Sequence, residues 1–92
     1  MNYREAFNIF DRENPEVYAL FKSFCFEVLE RGKQKYSARA IMERLRWELD
    51  INPRGSDIYK INDHTIPYYA RKFLAEHPQH GSFFEIRKLH QK

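Results

Sequence analysis

The sequence predicts an α+β fold that is mainly helical: a three-helix, winged-helix-like (helix-turn-helix) domain with a small two- or three-stranded sheet. Three observations lead there. Apolar side chains recur at steps of three and four in three separate windows, two short runs, DIYKIN and SFFEIRK, alternate, and Asn-Pro, Gly and His-Pro steps punctuate the chain between them. The 92 residues make one domain, 1–92, whose 42% apolar content, with eight Phe, six Tyr and one Trp, can build a core without disulfides or a metal.

Residues 1–13 are polar with Phe7, Ile9 and Phe10 embedded, and read as a flexible segment or a short helix docked by its aromatics. The winged-helix-like core spans 14–90. Asn14 followed by Pro15 starts the first helix, because an Asn side chain can accept from an orphan amide and Pro at the first helical position loses no hydrogen bond. Val17, Leu20, Phe21, Phe24 and Val28 then fall on one stripe, and Gly32 supplies a left-handed stop, giving a helix over 15–31. Tyr36 reads as one rung of a strand. Ser37 caps a second helix over 38–50, with Ala38, Ile41, Met42, Leu45 and Leu49 inward and Arg39, Glu43, Arg46 and Asp50 outward.

Pro53 and Gly55 place a turn at 51–56, and DIYKIN suggests a strand over 58–61. Thr65 caps a third helix over 66–76, which turns Ile66, Tyr69, Ala70 and Phe73 inward and ends at His77-Pro78. SFFEIRK reads as a closing strand whose mate is DIYKI or Tyr36. Two features depart from a standard winged helix: about fifteen residues separate the second and third helices, and one clear strand follows the third.

In that architecture the third helix is the recognition helix, and Tyr68, Arg71, Lys72 and Ala75 form its outer face. Arg can fork onto guanine or phosphate, Lys neutralises a phosphate, and a Tyr hydroxyl can donate to a phosphate oxygen. Arg39, Arg46, Lys60 and Arg87 would hold further phosphates of a double-stranded DNA. Charge agrees in sign: residues 1–31 carry four basic and six acidic side chains, and residues 32–92 carry twelve and seven. A homodimer would let two such helices read half-sites about one helical turn apart. The rival expectation is an accessory protein that binds a host or phage protein through an aromatic patch of Trp47, Tyr59 and Tyr68; a third is a structural particle or packaging component.

Enzymatic and metal chemistry find little to stand on. His77 and His80 have Pro78 between them and no Cys or acid at ligand spacing, while Cys25 sits in a helical stripe with no His nearby in sequence. The three glycines are isolated, so no phosphate loop is formed, and no cofactor is expected. One cysteine, no run of about 18 apolar residues, and charges at Arg4 and Glu5 suit a cytoplasmic protein without membrane contact.

The segments KYSARAIMERLRWELD, YKIND and PYYARKFLAEHPQHGSFFEIRK also resemble a family of small proteins of uncharacterised activity encoded by bacteriophages and prophages, over residues 16–88. That resemblance implies a phage or prophage origin and a DNA-binding label that is itself inferred; it assigns no role to individual residues.

Overall fold

Among the described residues, chain order sets four α-helices, two of which meet at a single residue, Asn14. The computed structural model describes the backbone of residues 1–51 and 61–84, and the side chains of all of these except Asp50 and Ile51. The helices are α1 (Tyr3–Glu13), α2 (Pro15–Glu30), α3 (Ala38–Ile51) and α4 (Ile66–Glu76), with 3-10 turns at Asp63–Thr65 and Pro78–His80.

Several boundaries have a local cause. Asn2 and Glu5 form a reciprocal capping box: the Glu5 amide donates to Asn2 Oδ1 at 2.8 Å and the Asn2 amide donates to Glu5 Oε1 at 3.1 Å, which makes the start of α1 self-sufficient. Asn14 closes α1 instead of capping α2 with its side chain, because its amide and its Nδ2 both donate to the Phe10 carbonyl. Pro15 then opens α2 at a position that needs no donor. Gly32, at φ +92°, ends α2 in the left-handed region, where the Gly32 and Lys33 amides donate to the Leu29 and Val28 carbonyls. The Ser37 hydroxyl accepts from the Ala40 amide and caps α3. Thr65 does not cap α4; its hydroxyl donates back to the Asn62 carbonyl.

One core joins all four helices. Val17, Phe21 and Cys25 of α2, Ile41, Met42 and Leu45 of α3, and Tyr69 and Phe73 of α4 are fully buried, joined by Phe7 from α1 and by Phe83 and Phe84. Rings dominate the centre: Tyr69 lies within 4.7–6.2 Å of Phe7, Phe21 and Tyr18, and Phe73 within about 6 Å of Phe26, Phe83 and Phe84. Burying each such ring contributes about 3 kcal/mol, so these few residues carry much of the fold.

This architecture corrects the expected α+β winged helix. Among the described residues there are four α-helices and no strand. Phe83 and Phe84 are consecutive and both enter the one core, whereas in a strand they would point to opposite faces; a bend brings both inward instead. The Tyr36 amide does meet the Phe83 carbonyl at 2.9 Å, a single bond where a ladder was expected. The strand expected over 58–61 and the rest of the closing strand lie outside the described residues, apart from Ile61, which is irregular.

Candidate functional site

The helix expected to face DNA is α4, and two residues of its expected outer face, Tyr68 and Lys72, pack against α1, while Ala75 stays exposed. The contact is a ladder of three rungs. Tyr3 stacks on His64 with centroids 3.9 Å apart, Phe7 stacks on Tyr68 at 5.5 Å, and Asp11 pairs with Lys72 through Oδ2 and Nζ. Both partners advance by four residues per rung, so α1 runs in the same direction as the 3-10 turn that carries His64 and the α4 that follows it and carries Tyr68 and Lys72; on α1 the three residues form one i, i+4 stripe. Lys72 is engaged a second time, with Nζ 4.2 Å above the ring of Tyr18, whose hydroxyl donates to Glu76 Oε1 at 2.6 Å.

The seven residues expected at a DNA surface therefore divide. Tyr68 and Lys72 are half-buried beneath α1, and the Arg71 guanidinium lies 5.9 Å over the ring of Tyr68 on its own helix. On α3, Arg39 and Arg46 converge on one carboxylate, Asp63, at 3.4 and 2.7 Å, and Arg46 also donates to the Ile61 carbonyl at 2.5 Å. These two clusters tie helices to each other. Lys60 and Arg87 lie outside the described residues, as does Tyr59 of the aromatic patch.

Charge follows the same division. Residues 1–51 and 61–84 carry eleven basic and eleven acidic side chains, whereas residues 52–60 and 85–92 carry five and two, so the net +3 of the chain belongs to the latter segments. Asp63 is held below the usual carboxylate range chiefly by the hydrogen bond from Arg46, and Glu27 by the one from Arg44, which also lies 4.1 Å over the ring of Phe24. Deeper in the molecule, burial pushes the Cys25 thiol up to about 12 and drives the Tyr18 and Tyr69 phenols well above their ordinary value.

Trp47 is the large apolar side chain left in solvent on α3, 62% exposed, with Glu43 and Arg44 one turn before it. An open cleft of about 420 Å³ lies between residues 29–34 and 79–83, floored by Leu29 and Phe83 and rimmed by Lys33 and His80. Among the described residues no three His, Cys, Asp or Glu side chains gather as a metal would require, and no helix is long and apolar enough to cross a membrane. His77 Nδ1 lies 3.0 Å from the Phe73 carbonyl, at the end of α4.

Sequence reasoning did not single out Tyr3, Asp11, Asp63 or Glu76 as partners of the site residues. The available signal was the shared spacing: 3, 7, 11 and 64, 68, 72 are matching stripes of two aromatic rings followed by a charge, and the charges are opposite. Compared with family models, with curated proteins and with solved structures, the chain finds no match.

Proposed function

We propose that this chain is a non-catalytic accessory protein of phage or prophage origin that binds a protein partner with the outer face of α3, using Trp47 as its anchor. The observation that carries this reading is the exposure of the indole on a helix whose other side is committed to the core. Aromatic anchors of this kind dominate binding when they fill an apolar pocket on a partner, and the flanking Glu43 and Arg44 suit the polar rim of such a pocket. The test is capture of partners on immobilised protein, with Trp47→Ala compared against the parent and helix content checked by circular dichroism. Retained helix content with loss of the captured protein supports the reading; undiminished capture by the variant overturns it.

Double-stranded DNA is the second reading, favoured by one observation: the whole charge surplus sits in residues 52–60 and 85–92, which contain Lys60 and Arg87. The cations of α3 and α4 support it less, since Arg39, Arg46 and Lys72 already hold Asp63 and Asp11. Shift assays with random duplex at two salt concentrations test it. Lys60→Glu and Arg87→Glu should each reduce the log-log salt slope by about 0.9 if those side chains meet phosphates, and absence of binding at low salt removes this reading.

A further inference from the structure

The ladder that α1 makes with the Asp63–Thr65 turn and α4 is self-complementary between copies of the chain, because every copy carries both sides of it. We propose that α1 exchanges between two chains, each laying Tyr3, Phe7 and Asp11 on the His64, Tyr68 and Lys72 of the other, to form a swapped dimer. Closure is two-fold, with the same surface given and received by each chain. The three rungs differ in chemistry, so they fix both register and direction of the incoming helix.

Three features of α1 suit exchange. It is joined to α2 through one residue, Asn14, so release requires a change at a single joint. It places only Phe7 fully in the core, and its capping box satisfies its own first amides without help from the rest of the molecule. Against exchange stand the two bonds from Asn14 to the Phe10 carbonyl and the ring of Pro15, which resists a continuous helix through the joint. These make the exchange slow.

Charge reversal separates exchange from other association. Asp11→Lys alone places two ammonium groups on the third rung of a closed chain, and Lys72→Asp alone places two carboxylates there. Mixed in equal amounts, the two variants recover both ion pairs only by exchanging α1. The expected result, read by light scattering after mixed incubation at high protein concentration, is a heterodimer whose dissociation constant is at least about tenfold below that of either variant alone. A mixture no more dimeric than its components overturns the proposal. The doubly reversed chain, Asp11→Lys with Lys72→Asp, restores the pair within one molecule and serves as the folding control. A second assay leaves the third rung intact: Tyr3→Cys and His64→Cys chains, mixed and oxidised, should cross-link to each other at least about tenfold more than either does to itself. Equal cross-linking in all samples counts against exchange.

Discussion

Phe7 and Tyr68 lie ring on ring, their centroids 5.5 Å apart and their planes 23° from parallel, and Phe7 also meets Tyr69 nearly perpendicular, with centroids 4.7 Å apart. This one side chain therefore joins α1 to both the inner and the outer surface of α4. It is the middle rung of the ladder and the point at which the core reaches the first helix.

Phe7→Ala should undock α1. Removal of a buried phenyl costs about 3–5 kcal/mol where the surroundings cannot collapse, more than the two outer rungs can offset. Hydrogen exchange should show α1 amides losing protection while those of α2 and α3 keep theirs; uniform loss across all helices would mean that α1 is required for the whole fold.

Lys72→Ala should be more damaging than replacing both partners. The Asp11 side chain is 14% exposed against 33% for Lys72, so truncating the lysine strands a largely covered carboxylate at a cost of about 2 kcal/mol. Denaturant titration of Lys72→Ala, Asp11→Ala and the double variant should return a coupling of about 1 kcal/mol. Strict additivity would show that the pair contributes nothing.

Stability should fall on the alkaline side. The Cys25 thiol, raised by burial to about 12, and the Tyr18 and Tyr69 phenols, raised further, hold their protons in the folded chain at pH values where the unfolded chain releases them. Their contribution is complete below the unfolded values, about 8.5 for Cys and 10 for Tyr, and is lost as pH rises through them toward the folded ones. Urea midpoints measured between pH 7 and 11 should decline above about pH 9. Cys25 should resist alkylation at pH 8 unless the protein is unfolded.

The acid side has its own marker in Asp63, whose carboxyl is lowered by the Arg46 hydrogen bond and by Arg39. Its contribution is present above the unfolded value of about 4 and is lost as pH falls below it. Asp63→Asn should flatten that limb of the stability curve, and an unchanged limb would assign acid unfolding to other carboxylates.

Gly32→Ala should cost about 1 kcal/mol, since the position sits at φ +92° with open space around it, so the penalty is conformational and not steric. A thermal melt of the variant reads it directly.

Local chemistry made the boundaries legible. Asn14-Pro15, Gly32 and Ser37 act within one turn of themselves, and the helices they bound occur at Pro15–Glu30 and Ala38–Ile51. The side chain of Asn14 shows the limit of that reasoning, because two neighbouring helix ends competed for it and α1 won. The outward face of α4 was misjudged for a related reason. Single-stripe amphipathicity assigns one buried side per helix, yet α4 is covered on two, by the core at Tyr69 and Phe73 and by α1 at Tyr68 and Lys72. Tyr and Lys report either surroundings, since both carry a long apolar body with a polar tip. The expected sheet failed at Phe83-Phe84, where two adjacent aromatics mimic a strand in composition and not in alternation.

The placement of Trp47 also decides how the molecule can be watched. It is the sole tryptophan, and it already stands 62% exposed in the folded state. Indole emission will therefore be near its solvated wavelength before denaturant is added and will shift little when the helices separate. Far-ultraviolet ellipticity will register the collapse of the bundle, while the same fluorescence, nearly blind to unfolding, becomes a clean signal for whatever settles over that ring.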